Sequence, residues 1–304
     1  MSTEKPYNKE NTEVSLNDEG IKKAVFAGVV VLYNPDETVV TNVMSYLEFL
    51  QMLYVIDNSE IPNSNIVDEL CKFERKVKYV ACGQNKGIAY ALNLGATLAI
   101  ESGADWLLTM DQDSRFEKDS ITKMVEYCMN LQDDKVIIVA PEPINTELAV
   151  YRKRKKNPFT HIVLTSGSML NLKLYQKNGP FREDFFIDYV DIEYCLRAKR
   201  NSLIVITLED VMMEHKLGKP RKVFFFTPTY HPPIRRYYIT RNRIAVWREY
   251  YSVDPGYIRF DMACSVKETV KILLGEDRKL EKMRMIIRGI VDYLRGRFGK
   301  LPES

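Results

Sequence analysis

The chain is poor in the residues that mark several common kinds of site. Its 304 residues include only 5 cysteines, 3 histidines and 2 tryptophans. The cysteines are scattered and odd in number, which favours reduced thiols over a disulfide framework or a zinc site. Cysteine chemistry is therefore set aside.

Long hydrophobic runs are missing as well. The longest, Ala24 to Leu32, is far shorter than the roughly 20 residues of a membrane-spanning helix. Residues 1–22 are polar and lack the apolar core of a signal peptide, so we expect a flexible N-terminal arm. The sequence predicts a cytoplasmic protein, placed at the inner face of the cell membrane if its basic region contacts lipid.

Two glycine-rich phosphate-binding motifs are absent. The first predicted strand is followed by Tyr33, Asn34 and Pro35, where G-x-G-x-x-G or G-x-x-x-x-G-K-[ST] would stand. This excludes a dinucleotide-binding oxidoreductase and a P-loop enzyme. A nucleotide diphosphate would need another source of positive charge, and a metal held by carboxylates is the obvious one.

The two parts of the chain differ in charge. Residues 1–214 hold 24 Lys and Arg against 32 Asp and Glu, whereas residues 215–304 hold 20 against 9. An acidic site suits a divalent cation, and a basic aromatic region suits phosphate, an anionic membrane or nucleic acid. The amphipathic stretch Leu280 to Leu294 is expected to pack on the protein or a second copy, or to lie on a membrane.

Short apolar runs alternate with stretches of helical periodicity, which predicts an α/β fold with a mainly parallel sheet flanked by helices. The five predicted strands are Val25–Leu32, Leu53–Ile56, Val77–Ala81, Trp106–Met110 and Val136–Ala140. Helical spacing covers residues 39–50, 88–99, 121–131 and 188–200, and the run 161–172 is interpreted as a further strand.

Polar residues follow the first four strands, where the loops of a parallel sheet form a ligand site. They are Tyr33-Asn34-Pro35, Asp57-Asn58-Ser59, Asn85-Lys86-Gly87 and Asp111-Gln112-Asp113. Such residues also form ordinary turns, but their recurrence after all four strands favours a site. Asp111 and Asp113 would point to the same side of an extended backbone, where they could share one Mg²⁺ or Mn²⁺.

The order of these motifs resembles family 2 glycosyltransferases of the GT-A fold, and most closely their rhamnosyltransferase-like branch. The resemblance covers about residues 24–250 and rests on the following segments: Val30–Pro35, Val55–Ser59, Asn85–Asn93, Asp111–Ser114, Gly179–Phe181, Asp188–Arg197 and His215. It implies a Rossmann-like GT-A sheet and inverting transfer of a sugar from a nucleotide diphosphate to a hydroxyl group.

The resemblance also implies roles for individual residues. Asp191 would be the general base, although relatives often carry two adjacent acids there and this chain has Val190 before it. Asp188 is the alternative candidate for the base. A helix N-terminus at this point would keep Asp191 ionised. The remaining expected roles are as follows: donor binding by Tyr33, Asn34, Asp57, Asn85, Gly87, Asn93 and Asp111; metal binding by Asp111, Asp113 and His215; and acceptor contacts by Ser166, Gly167 and Asp188.

We expect three regions: an arm at 1–22, a GT-A domain at 23–220 and a basic, aromatic helical extension at 221–304. The nucleotide-sugar half of the domain would span about 23–115 and the acceptor half about 116–220. The resemblance implies dTDP-rhamnose as the first choice of donor, with UDP-linked galactofuranose, hexoses or N-acetylhexosamines as alternatives. It implies as acceptor a glycan or polyprenyl-diphosphate-linked molecule of bacterial surface polysaccharide synthesis. Two alternative functions remain open, a nucleotidyltransferase and a nucleic-acid-binding protein. The sequence also leaves open whether the protein forms a homodimer.

Overall fold

The computed structural model describes residues 24–117, 119–144, 159–215 and 231–302. Within them, eight strands form one sheet in the order β3-β2-β1-β4-β7-β6-β8-β5. The strands are β1 (Phe26–Leu32), β2 (Met52–Asp57), β3 (Val77–Ala81), β4 (Trp106–Asp111), β5 (Ser114–Phe116), β6 (Val136–Ile144), β7 (Ser168–Asn171) and β8 (Ile204–His215). The first four strands are parallel, whereas β7 runs antiparallel between β4 and β6.

Helices cover both faces of the sheet. They are α1 (Thr38–Met44), α2 (Ser64–Cys71), α3 (Ile88–Glu101), α4 (Ser120–Met129), α5 (Leu172–Asn178), α6 (Val190–Arg200), α7 (Pro233–Tyr250), α8 (Pro255–Gly275) and α9 (Lys279–Leu294). None of the helices in the described part of the chain is long and apolar enough to span a membrane.

Side chains of β1 alternate between two apolar clusters, one on each face of the sheet. Val29 packs in the cluster beneath α3, and Val30 packs in the cluster beneath α1 and α2. Both valines are fully buried, because helices cover the two faces of a parallel sheet. Gly95 lets α3 approach β1 closely, since a Cβ there would lie 2.4 Å from Val29 Cγ2.

The α/β prediction is confirmed, and all five predicted strand starts lie within one residue of those in the structure. The strand predicted over 161–172 is wrong for its first part, because β7 begins only at Ser168, after Gly167 with a φ of 81°. The first predicted helix is shorter than expected, ending at Met44 before a separate 3₁₀ turn, Leu47–Phe49. The predicted arm and the boundary at residue 220 lie outside the described residues.

Candidate active site

A cavity of about 670 Å³ opens at the carboxyl ends of the parallel strands. This is the expected position of a ligand site in a sheet of this kind. Its wall includes eight of the residues singled out from the sequence, namely Tyr33, Asn85, Gly87, Asp111, Asp113, Ser166, Asp188 and Asp191. Residues from the β1, β2, β3 and β4 loops, separated by up to 80 positions, therefore meet α6 in one place.

The loop after β1 is fixed by Gln112, the residue between the two aspartates. Its side-chain amide accepts a hydrogen bond from the Tyr33 backbone N–H at 2.8 Å and donates one to the Tyr33 carbonyl at 3.2 Å. Asn42 in turn donates to the Gln112 carbonyl at 2.8 Å. Gln112 thus couples the acidic turn to the half-exposed ring of Tyr33, a role that the sequence analysis missed.

Asp57 does not line the cavity, although its neighbour Asn58 does. Its carboxylate is fully buried and accepts hydrogen bonds from the Tyr79 hydroxyl at 2.6 Å and the Ser59 backbone N–H at 2.8 Å. Burial, with this bond to Asp57, raises the pKa of the Tyr79 phenol, which therefore remains a donor. Asn34 is also outside the wall, and its N–H donates to Ser59 Oγ at 2.8 Å.

Asn58, the neighbour of Asp57, does line the cavity and connects two of its loops. Its Nδ2 donates to the Gly87 carbonyl at 3.0 Å. Asn85 Oδ1 accepts from the Gly87 N–H at 3.0 Å, forming a turn before α3. Gly87 has a φ of 88°, and a Cβ there would lie 2.5 Å from the Phe186 carbonyl oxygen. Only glycine allows the α3 loop to approach the Phe186 loop this closely.

Asn93 is used for structure, although the sequence placed it among the donor-binding residues. Its Oδ1 accepts from the Tyr175 hydroxyl at 2.9 Å and the Phe181 N–H at 2.8 Å. Its Nδ2 donates to the Phe181 carbonyl at 2.9 Å and to Glu183 at 2.8 Å. All hydrogen-bonding positions of the amide are occupied, so Asn93 supports the segment that leads to α6 and does not line the cavity.

Asp111 and Asp113 both line the cavity on either side of a tight turn. Asp111 ends β4, and the chain reverses through Gln112 and Asp113 before β5 begins at Ser114. Ser166 supports this turn, because its Oγ accepts from the Asp111 N–H at 3.1 Å and donates to Ser114 Oγ at 2.9 Å. Among the described residues, no group of three His, Cys, Asp or Glu side chains forms a complete metal site.

Two other residues named in the sequence analysis have different positions. Gly167 faces the protein interior, since a Cβ there would lie 2.4 Å from Met213 Sδ. Its lack of a side chain is therefore used in packing, and the expected acceptor contact stays a prediction. His215 ends β8, where its backbone pairs with Ser114 beside the acidic turn. Its side chain lies outside the described residues.

Asp191 lies in the first turn of α6 and contributes to the cavity wall. One of its carboxylate oxygens accepts from the Ile192 N–H at 2.8 Å. Burial, with a smaller contribution from the charges of Asp188 and Asp111, raises its pKa from 3.8 to about 6. Desolvation thus outweighs the helix N-terminus, which was expected to favour the ionised form. A carboxylate with this pKa is ionised at neutral pH and retains substantial proton affinity.

Asp188 is paired with a cation of α7. Arg235 Nη2 lies 2.9 Å from its Oδ1, and burial raises the Asp188 pKa while the Arg235 charge opposes that shift. Three further charged residues of the C-terminal helices, Arg243, Asp261 and Glu268, also line the cavity. The sequence analysis missed all of them, because only the folded chain brings α7 and α8 beside α6.

The sheet topology, the cavity at the carboxyl edge, the acidic turn after β4 and the carboxylate at the start of α6 together define a GT-A type glycosyltransferase. A family model described as "Glycosyl transferase family 2" matches residues 29–190. The chain belongs to this family, and the prediction of a glycosyltransferase is confirmed.

A curated relative supports the rhamnosyltransferase-like branch. The chain is 30% identical over 286 residues to the dTDP-rhamnosyl transferase RfbF of Shigella flexneri, covering 88% of this chain and 95% of the relative. Among solved structures, the fold is similar to a mannosyltransferase of Pyrobaculum calidifontis in complex with GDP-Man and Mn²⁺, with a TM-score of 0.57 at 14% identity and coverage of 95% and 92% of the two chains. It is also similar to TarS 1–349 of S. aureus, with a TM-score of 0.59 at 16% identity and coverage of 90% and 81%.

Proposed function

We propose that this enzyme transfers rhamnose from dTDP-rhamnose, with inversion, to a hydroxyl group of a glycan or lipid-linked acceptor in bacterial surface polysaccharide synthesis. The observation that carries the proposal is the presence of Asp111, Asp113 and Asp191 in the wall of one cavity. The choice of donor follows the similarity to the rhamnosyltransferase RfbF.

The donor would occupy the side of the cavity formed by the strand loops. Tyr33, Asn85 and Gly87 supply an aromatic ring, an amide and a stretch of backbone there. Asn34, Asp57 and Asn93 would act on the donor only through the loops they hold. Asp111 would lie on the diphosphate side.

The residues at the acidic turn fit a hard divalent cation. Carboxylate oxygens suit Mg²⁺ or Mn²⁺, and two protein ligands would leave coordination positions for diphosphate oxygens. Asp111 and Asp113 would hold the ion, and the backbone position of His215 beside Ser114 supports this histidine as a third ligand. When bound, the cation would offset the charge that develops on the departing nucleoside diphosphate.

Asp191 would act as the base. Its carboxylate takes the proton of the acceptor hydroxyl while that oxygen forms a bond to the anomeric carbon on the face opposite the donor diphosphate. The bond from the anomeric carbon to the diphosphate oxygen breaks in the same step, and the electron pair leaves with the nucleotide. Asp188 is less suited to this role because Arg235 already contacts its carboxylate.

A donor panel tests the proposal. Thermal unfolding is followed with dTDP-rhamnose, UDP-N-acetylglucosamine and GDP-mannose, each with Mg²⁺, Mn²⁺ or EDTA. A ligand at 100 times its Kd stabilises the folded state by about 2.7 kcal/mol, so the correct donor should raise the midpoint in a metal-dependent way. Release of dTDP with the same preference would support rhamnosyl transfer. A preference for another sugar nucleotide would overturn the choice of donor, and release of pyrophosphate from a nucleoside triphosphate and a sugar phosphate would overturn glycosyl transfer.

The C-terminal helices offer a surface for membrane contact. Leu280, Ile287 and Leu294 recur every seven residues along α9, on one face of the helix, and are 86%, 57% and 75% exposed. Exposed arginines at 284, 288 and 295 flank this stripe. An apolar helix face bordered by cations fits an anionic bilayer surface.

Sedimentation with vesicles tests this contact. We expect binding to vesicles containing phosphatidylglycerol and little binding to pure phosphatidylcholine. Replacement of Leu280 and Leu294 by serine should abolish binding without changing donor affinity. Serine at Leu131, a partly buried position after the end of α4, serves as the control. A concentration-dependent dimer that the same variants dissociate would assign the stripe to a second copy and overturn membrane contact.

A further inference from the structure

The segment that enters α6 has an unusual backbone. Phe186, Asp188 and Tyr189 have φ angles of 66°, 62° and 66°. Residues other than glycine rarely adopt this left-handed conformation, and it persists only where surrounding contacts impose it. All three residues line the cavity, and Asp191 follows two positions later. The contacts that impose the conformation therefore also determine where Asp191 lies.

One side chain of α7, that of Asn242, makes three of these contacts. Asn242 is fully buried, and its Nδ2 lies 3.0 Å from the Phe185 carbonyl oxygen and 2.9 Å from those of Ile187 and Asp188. These three carbonyls belong to the left-handed segment or flank it. The two N–H groups of this amide are thus shared among three carbonyls that neither a helix nor a strand pairs.

The orientation of the Asn242 amide is itself fixed. Arg241 Nε donates to Asn242 Oδ1 at 3.0 Å, so Nδ2 is directed to the carbonyls. Arg241 Nη2 donates to the Phe185 carbonyl at 3.0 Å, and its guanidinium group lies 5.2 Å from the Tyr237 and Tyr238 ring centroids. The arginine is fully buried and makes Asn242 a rigid donor.

The opposite side of the segment is held by the α3 loop. The Ile88 N–H donates to the Phe186 carbonyl at 2.9 Å. A Cβ at position 87 would lie 2.5 Å from the same carbonyl oxygen, so only glycine fits there. The segment is therefore clamped between the loop that carries Asn85 and the helix that carries Asn242. We propose that Asn242 is a positioning residue that holds the 185–189 segment and thereby places the Asp191 carboxylate in the cavity. This inference rests on the proposed function, in which Asp191 is the base.

The position of Asn242 in the chain adds weight to this role. Asn242 lies on α7, beyond residues 29–190 that the family model matches. The basic C-terminal region thus reaches the active site through this neutral amide as well as through cations of α7, such as Arg235, which pairs with Asp188 at 2.9 Å.

Comparison of Asn242→Ala with a matched control tests the proposal. Asn178 is also buried, and its amide contacts Asn201 at the far ends of α5 and α6. We expect both alanine variants to lose thermal stability. Only Asn242→Ala should lower kcat, by about 10 to 100-fold, the penalty expected when catalytic geometry is disturbed. The Kd for the free nucleoside diphosphate should change less than about threefold, because other loops bind the nucleotide. Turnover is measured with whichever sugar nucleotide the donor panel identifies.

A double-mutant cycle separates positioning from a general structural effect. If Asn242 acts through Asp191, Asn242→Ala should cost less than about threefold in the Asp191→Asn background, because the two effects are not additive. Equal costs in both backgrounds, or a kcat of Asn242→Ala equal to that of the wild type, would overturn the proposal. Should Asn242→Ala not fold, Asn242→Ser retains one donor and should show an intermediate kcat, and a wild-type kcat there overturns the proposal equally. If Asp191→Asn alone kept the wild-type turnover, the assignment of Asp191 as the base would be refuted. The kcat of Asn242→Ala would still show whether the 185–189 segment determines the geometry of the active site.

Discussion

Replacement of Asp191 by asparagine should remove activity and stabilise the protein at the same time. Burial raises the pKa of Asp191 from 3.8 to about 6, which corresponds to about 3 kcal/mol of unfavourable free energy when the folded protein holds the ionised group. Because the folded state binds the proton more tightly than the unfolded chain, this group makes folding stability fall as the pH rises from about 4 to about 6. Above about pH 6 the folded protein bears the full free-energy cost of holding the ionised Asp191 carboxylate.

An asparagine carries no charge and avoids this cost. At pH 7.5, without nucleotide, Asp191→Asn should therefore unfold at a higher temperature than the wild type, whereas at pH 4 the difference should nearly vanish. The gain will fall short of about 3 kcal/mol because the amide accepts the Ile192 N–H bond more weakly than a carboxylate does. Differential scanning calorimetry at several pH values measures this directly.

The wild-type catalytic rate should rise with pH over the range in which the Asp191 contribution to stability falls. About half of the Asp191 side chains are ionised at pH 6 and about nine-tenths at pH 7, so wild-type kcat should fall about tenfold per unit below pH 6. In Asp191→Asn the rate should be about 10² to 10⁴-fold lower and this acidic limb should disappear. Asp188→Asn provides the control for a nearby carboxylate. A variant that keeps the wild-type rate, or an acidic limb that survives the substitution, would refute the assignment of the base. A loss of stability at pH 7.5 would refute the desolvation argument.

Three further substitutions test the donor side. Asp113→Ala should abolish the metal-dependent rise in unfolding temperature caused by the donor, and unchanged metal dependence in the thermal-shift assay would exclude this carboxylate as a ligand. Gly87→Ala should weaken donor binding, measured by calorimetry, far more than Gly83→Ala. Both glycines have positive φ, but a Cβ meets the Phe186 carbonyl only at Gly87, so equal effects would contradict the close-approach argument. Gln112→Ala should raise the KM for the donor several-fold with little change in kcat, because it releases the Tyr33 backbone, and a change in kcat alone would argue against this role.

The strands were predictable because their burial is nearly complete. β1 and β4 are nearly continuous apolar runs because helices cover both faces of the sheet, and their bounds differ from the prediction by one residue. The run 161–172 has a residue composition similar to that of the strands, but Gly167 packs against Met213 in a bend before β7. A local pattern cannot distinguish a buried bend from a strand, because distant residues create the burial.

The same distinction applies to polar residues of the site. Asp111, Asp113 and Asp191 were predicted to line one site, and the structure places all three in one cavity wall. Asn93 and Asp57 were predicted as site residues from motifs of the same kind, yet they form hydrogen bonds with Phe181 and Tyr79. An amide or carboxylate at the edge of a sheet can serve a ligand or a neighbouring loop. The sequence does not decide between them, since the partner lies elsewhere in the chain.

The C-terminal region shows most clearly why a count of charged residues does not identify a binding partner. Its excess of Lys and Arg predicted an external anionic partner, and the stripe on α9 is consistent with one. Yet Arg241 and Arg243 are buried, and Arg243 contacts Glu268 at 2.9 Å while also contacting the Tyr189 hydroxyl. Burying a cation costs several kcal/mol unless acids, carbonyls or aromatic rings surround it. The arrangement is therefore sustained only where α7 and α8 pack against the segment that precedes α6. Part of the basic charge belongs to the active site, and removing it should lower turnover more than it lowers sedimentation with anionic vesicles.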